Sequence, residues 1–179
     1  AERILEILET ESTIQDDRNA VKKESFDDNI EVENINFRYE KENVLKNFSM
    51  QVEKGKMIAL VGQSGSGKST IANLITRFYD VNEGVIKLDG HNIKGITKKS
   101  LRNLMGLVTQ DSILFNDTVK NNIALGKDNA TEEEIIDALK VANAWDFVKE
   151  LPEGLETNIG DSGNKLSGGQ KQRLSIARA

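Results

Sequence analysis

The sequence holds no cysteine. That excludes a disulfide scaffold, a cysteine-ligated zinc site and a thiol nucleophile, and it fits a reducing compartment. Proline occurs once, at Pro152. Basic charge is short as well. Lys and Arg number 24 against 29 Asp and Glu, for a formal net charge of -5. With a pI near 5.1, no surplus of cations exists to displace counterions, which argues against a general nucleic-acid binder. Long apolar runs are absent too. The longest is Met57 to Val61, far short of the ~20 residues that span a bilayer. The first residues, Ala1-Glu2-Arg3, lead into an amphipathic stretch rather than a signal peptide. The chain as given reads as soluble.

What is present fits a small folded protein. At roughly 150 residues per domain, 179 residues make one domain with a little to spare. The apolar share is 37% and the charged share 30%. That is apolar-poor, yet the net charge is too low for a disordered chain. Fourteen glycines stand against the single proline, so backbone specialisation should be sought at glycine.

Ile4, Leu5, Ile7 and Leu8 form a short helical stripe. Residues 10–29 are polar and read as a linker, so residues 1–29 form a partly helical lead-in. From Ile30 the pattern changes. Ile35, Phe37 and Tyr39 alternate with polar residues, as do Phe48, Met50 and Val52, which suits half-buried strands. Met57 to Val61 does not alternate and predicts a fully buried strand. After it comes a glycine-rich turn, then Ile71, Leu74, Ile75 and Phe78 at helical spacing. Val85 to Leu88 and Leu104 to Thr109 read as further strands. Thr131 and Glu134 form a capping-box pattern ahead of Ile135, Ile136 and Leu139. Trp145, Val148 and Leu151 extend that helix to Pro152 and Gly154. A last helix starts at Ser167. This order favours an α/β core with a helical insertion.

Gly62-Gln63-Ser64-Gly65-Ser66-Gly67-Lys68-Ser69 matches the phosphate-binding loop G-x-x-x-x-G-K-[ST]. Adjacent phosphates carry several negative charges. A loop meets them only when successive backbone N–H groups turn inward with no side chain in the way, and Gly62, Gly65 and Gly67 allow this. The following helix aims its positive end at the same place. Lys68 adds a mobile charge for the terminal phosphates, and Ser69 offers a hydroxyl to Mg²⁺. Near the end of the chain stands a second anion-competent helix start, Leu166-Ser167-Gly168-Gly169-Gln170. Ser167 is a good cap, and the two glycines leave the first amides unshielded.

A P-loop, then Gln110, then LSGGQ is a pattern that resembles the nucleotide-binding domains of ATP-binding-cassette (ABC) proteins. The resemblance covers residues 30–179. It implies an α/β fold: a RecA-like P-loop NTPase core with an antiparallel β part and an α-helical subdomain at about 111–166. Position by position, Tyr39 resembles the aromatic that stacks on adenine, and Gly62 to Thr70 resemble the Walker A segment. Gln110 resembles the glutamine that meets Mg²⁺ or the attacking water and senses the membrane partner. Ser167, Gly168, Gly169 and Gln170 resemble the signature that contacts ATP held by a second subunit. The implied assembly is a head-to-tail dimer with two ATP molecules between P-loop and signature. Lys68 and Gln110 are the implied catalytic residues, and Ser69 and Gln110 the implied Mg²⁺ contacts.

The branch is read from two further segments. Asp111 to Ile123 (DSILFNDTVKNNI) resembles the part of exporter-type domains that meets the transmembrane domain. Thr157 to Gly163 resembles the exporter loop before the signature, with Asp161 where glutamate is more usual. The first eight residues resemble the tail that leaves the last transmembrane helix in exporters with fused halves. The implied parent is a lipid- or multidrug-exporting half-transporter working at the cytoplasmic face of the membrane.

No apolar run here ends in Asp-Glu, the pattern that supplies the family's Walker B strand and general base. The sequence therefore reads as a domain incomplete at its C-terminus. It leaves open a nucleotide-binding or self-associating module without turnover. An ABC ATPase acting on DNA or the ribosome fits less well. Gln110 and Ser167 are only 57 positions apart, leaving no room for a long coiled coil, and no second cassette is present. A P-loop kinase or GTPase has no use for LSGGQ. His91 reads as a surface turn residue. Lys94, Lys98, Lys99 and Arg102 read as a solvated helix face or a contact for anionic headgroups, and Trp145 and Phe147 as helical packing.

Overall fold

A computed structural model describes residues 12–40 and 42–179. The chain divides into two compact units, Ala1–Met105 and Gly106–Ala179. The helical stripe expected over residues 2–9 lies outside the described residues.

The first unit is built on an antiparallel sheet. Strand β1 (Asn29–Arg38) pairs with β2 (Asn43–Glu53) on one side and with β3 (Glu83–Leu88) on the other; the two-residue β4 (His91–Asn92) turns back and pairs antiparallel with β3. Val32 sits opposite Met50 and Ile86, and Phe37 opposite Leu45. The alternation predicted along β1 holds with one interruption. Asn34 takes the left-handed region at φ 47° and makes a bulge, so that Val32, Ile35 and Phe37 all stay buried. Helix α1 (Lys68–Ile75) buries Ile71 and Leu74 in the same core. It ends at Thr76, before Phe78, which is half-exposed rather than part of the helical stripe. Helix α2 (Lys98–Asn103) adds Leu101.

Residues 12–28 lie along this unit. Val21 makes a parallel bridge with Ile96. Lys23 pairs with Asp89 at 2.7 Å.

Two expected strands do not form. Met57 to Val61 has no strand pairing, and Met57 and Val61 are 97% and 93% exposed. A non-alternating apolar run becomes a buried strand only where neighbours satisfy both its edges, and among the described residues no strand lies beside it. The stretch from Leu104 to Thr109 is likewise irregular, with Leu107 and Val108 partly exposed.

The second unit is helical. It holds α3 (Val119–Ala124), α4 (Glu132–Val141), α5 (Trp145–Lys149) and α6 (Gly168–Arg178) around a core that includes Val119, Ile123, Ile135, Leu139, Ile159 and Leu174. The capping box of α4 forms as read: Thr131 Oγ1 accepts from the Glu134 amide, and the Glu134 carboxylate accepts from the Thr131 amide. The single long helix expected through Leu151 is instead two. Asn143 turns left-handed at φ 53° between them, a conformation asparagine tolerates better than most residues. Asn122, almost fully buried, donates to the carbonyls of Phe115 and Thr118 and accepts from the Phe115 amide. That ties the stretch after Gln110 to α3. No helix among the described residues is long and apolar enough to cross a membrane.

Candidate functional site

The glycine-rich loop of the first unit is shaped by three positions. Gly65 and Gly67 have φ of 81° and 88°, which a side chain would strain. At Gly62 a Cβ would lie 2.7 Å from Ser66 Oγ. Lys68 folds back into the loop, and its ammonium donates to the carbonyls of Gly62 (2.9 Å) and Gln63 (2.6 Å) and to Ser66 Oγ (3.2 Å). The lysine is therefore held at the mouth of the loop by weak neutral partners that a phosphate can displace.

Gly67 caps α1 without a side-chain hydrogen bond, and the first turn holds no acidic residue. The free amides and the helix dipole face outward with nothing to cancel them. Gln63, Ser64, Ser66 and Ser69 are exposed around that mouth. Ser69, in the first turn, is expected from the sequence as a Mg²⁺ contact, and it is exposed there. Mg²⁺ needs few protein ligands when phosphates supply the rest. Among the described residues no cluster of three or more His, Cys, Asp or Glu could hold a metal by itself.

An aromatic group stands at the same helix. Tyr39, just past β1 and 47% exposed, donates to Thr70 Oγ1 at 3.2 Å. Its ring meets Phe37 and Tyr79 edge-on, with centroids 4.9 and 5.0 Å away. Such near-perpendicular pairs are a favoured aromatic arrangement and fix the orientation of the Tyr39 ring. Sequence reasoning found Tyr39 but not Tyr79. Tyr79 follows the helix at no informative spacing, and only the fold brings it to the cluster.

Gln110 and the Ser167–Gln170 segment belong to the second unit. Gln110 is exposed in an irregular stretch where Thr109 Oγ1 donates to the Asp111 carbonyl at 2.7 Å. At the start of α6, Ser167 Oγ accepts from the Gln170 amide and Gln170 Oε1 accepts from the Ser167 amide, a closed capping box. A Cβ at Gly168 or Gly169 would meet nothing within 4 Å, so the helix end is open to a large partner. Asp161 accepts from Asn116 Nδ2 at 2.6 Å. That links the loop before the signature to the segment after Gln110 inside this unit.

The basic cluster is a solvated face only in part: Lys94 and Lys99 are exposed, whereas Lys98 and Arg102 are half-buried. Lys94 and Lys98 donate to the carbonyls of Val81 and Ile14. Arg102 caps the end of α1 through the Thr76 and Arg77 carbonyls and lies over the Phe78 ring. Carbonyls left over at turns and helix ends attract cations wherever they fall, which no sequence pattern announces. His91 is exposed as expected, but it opens β4 just after the Asp89-Gly90 turn, with its Nδ1 against the Asp89 carbonyl.

A phosphate-shaped loop running into a helix, with a second open helix start in the same chain, defines a P-loop NTPase-type nucleotide-binding fold. The family model for ABC transporters matches residues 45–179, and the chain belongs to that family. It is 49% identical, over its whole length, to an ATP-dependent lipid A-core flippase of Syntrophus aciditrophicus (strain SB), of which it covers 30%. It is also 49% identical to YgaD of Bacillus subtilis (strain 168), whose name describes a multidrug export ATP-binding/permease protein; the match covers 99% of this chain and 31% of that one. A solved bacterial Atm1-family ABC exporter with ATP bound superimposes on 99% of the chain with a TM-score of 0.92 at 43% identity, covering 31% of that structure. The chain thus spans about a third of the length of the relatives it matches.

Proposed function

We propose that this chain is the ATP-binding part of an ABC exporter, and that it couples ATP binding and hydrolysis to export of a lipid or amphipathic substrate. The observation that carries the reading is the loop around Lys68: an ammonium held on two carbonyls at the unshielded start of α1. ATP would place its phosphates on the Gly62–Ser69 amides and Lys68, with Thr70 beside them, and its adenine on Tyr39. Mg²⁺, when bound with the nucleotide, neutralises phosphate charge, and Ser69 and Gln110 are the residues assigned to it. Catalysis of phosphoryl transfer rests chiefly on such positioning and charge. The general base is assigned to no residue of this chain.

On this reading Ser167, Gly168, Gly169 and Gln170 meet the terminal phosphate of ATP held by a second ABC domain, in a head-to-tail pair. Residues 110–123 meet a transmembrane domain at the cytoplasmic face of the membrane. The exporter names of the matched relatives and the exporter-type segments at 111–123 and 157–163 support that branch. The test is ATP binding and turnover by the whole protein that carries this chain, with Lys68→Ala as control. Loss of both in the variant supports the reading, and unchanged turnover refutes it.

A further inference from the structure

A buried arginine ties the polar segment ahead of β1 to the helix that carries Lys68. Arg77 stands just beyond the end of α1, in the left-handed region at φ 53°. Its side chain is 3% exposed, so its charge must be met inside the protein. The guanidinium donates to the carbonyls of Ile96 (3.1 Å) and Ile93 (3.4 Å). It lies 3.2 Å from the Asp80 carboxylate. Its remaining bonds go to the lead-in segment: the Gln15 carbonyl at 3.0 Å and the Asp16 carboxylate at 3.5 Å. Only a planar fork with five donors serves so many acceptors at once; an ammonium cannot.

The lead-in is fastened at other points of the same unit. Asp16 also accepts the Lys98 amide at 2.9 Å. Val21 exchanges backbone hydrogen bonds with Gly95 and Thr97, and the Lys23 amide donates to Ser100 Oγ. Residues 14–23 thus form a strap laid along residues 95–100, which reaches the end of α1 through Arg77. That helix has eight residues, a length of about 12 Å. One end bears the Lys68 loop, and the other is gripped by Arg77 and, through its last carbonyls, by Arg102. Two contacts on opposite ends of one short helix cannot be independent. Anything that fixes one end restricts the other, and the effect is reciprocal.

We infer that Arg77 is a positioning residue that couples the 14–23 strap to nucleotide occupancy of the Gly62–Ser69 loop. The inference rests on the ATP-site reading above. A docked strap holds α1 where its amides best meet phosphate, and bound nucleotide in turn holds the strap down. Arg77 touches no nucleotide on this account. It acts through the helix.

The test uses the whole protein and two readouts. In hydrogen–deuterium exchange, ATP slows exchange of the Val21 and Lys23 amides severalfold in the wild type. In Arg77→Lys, which keeps the charge but loses the fork, ATP still binds and the slowing disappears. Asp16→Ala is the milder variant, since Asp16 lies at the surface and its loss leaves the core intact. It raises KM for ATP about fivefold with kcat unchanged, and Asp16→Glu restores most of the loss. A purely structural arginine would lower thermal stability without splitting KM from kcat. ATP binding with no change in strap exchange, or an unaltered KM in Asp16→Ala, overturns the inference while leaving the ATP site standing. Failure of the wild type to bind ATP overturns both.

Discussion

The phenol of Tyr39 donates to Thr70 Oγ1 across 3.2 Å, joining the residue after β1 to the first turn of α1. One hydrogen bond thus sets an aromatic ring beside the phosphate loop. If adenine stacks there, the ring matters more than the hydroxyl. Base–aromatic stacking is worth about 1–3 kcal/mol. Tyr39→Ala should weaken ATP binding about tenfold or more, whereas Tyr39→Phe should cost about threefold, toward the low end of what one partly buried neutral hydrogen bond is worth. Titration with ATP distinguishes them; equal affinity in Tyr39→Ala and wild type removes Tyr39 from the site.

Gly84, the second residue of β3, has φ 82°, and a Cβ there would press on the backbone carbonyls of Glu33 and Asn34. Neither carbonyl can move away, because both belong to the bulge that keeps Val32 and Ile35 buried. Gly84→Ala therefore combines a strained backbone with a clash against main chain. It should cost about 3 kcal/mol or more. Urea denaturation measures this, and a variant within 1 kcal/mol of wild type would show that the bulge is softer than its geometry implies.

Local chemistry was legible in the sequence, and non-local chemistry was not. The Thr131–Glu134 box and the Gly65 and Gly67 turns form where the residues predict, because each is decided within a few positions. The Ser167 cap is of the same kind. Met57 to Val61 fails as a strand because its fate depends on partners, not on its own five residues. The break at Asn143 was hidden because the apolar spacing on either side continues the helical pattern. Arg77 was invisible for a different reason. Three of its acceptors are backbone carbonyls, and every residue type supplies those. Of the site itself, Gly62 to Thr70 and Tyr39 come together in one unit. Gln110 and the signature are placed in the other, and their part in an ATP site remains the proposal.

The signature serine carries two separable tasks. Ser167 closes the capping box of α6 with Gln170, and on the proposed function it also faces a phosphate. Ser167→Ala should lose about 1 kcal/mol of helix stability through the cap. Ser167→Asp keeps the cap, since a carboxylate accepts the same amide and suits the helix start, yet it places a negative charge against phosphate. The expected result is wild-type thermal stability together with loss of ATP-driven pairing of ABC domains, read by light scattering or crosslinking. Intact pairing in Ser167→Asp would remove the phosphate from its neighbourhood.

Asp89 anchors the start of β1. Its carboxylate accepts from the amides of Asp27, Asp28 and Asn29 and pairs with Lys23 at 2.7 Å. Burial works against its charge, but Lys23 and the backbone amides outweigh that and hold its pKa at about 2, below the ordinary 3.8. A depressed carboxylate contributes stability that is complete above its unfolded pKa and is lost as pH falls through the folded one. The window therefore runs from about pH 4 down to about pH 2. Near two pKa units correspond to at most about 2.5 kcal/mol, and solvent at the turn lowers this to about 1–2 kcal/mol. Asp89→Asn isolates the effect, because asparagine accepts the same left-handed backbone at φ 49°. Its stability deficit against wild type in urea should be full at pH 7, unchanged at pH 5, and shrinking steadily between pH 4 and pH 2. A deficit that stays constant down to pH 2 would mean that shape at the turn, and not the charge of Asp89, holds residues 27–29 to the sheet.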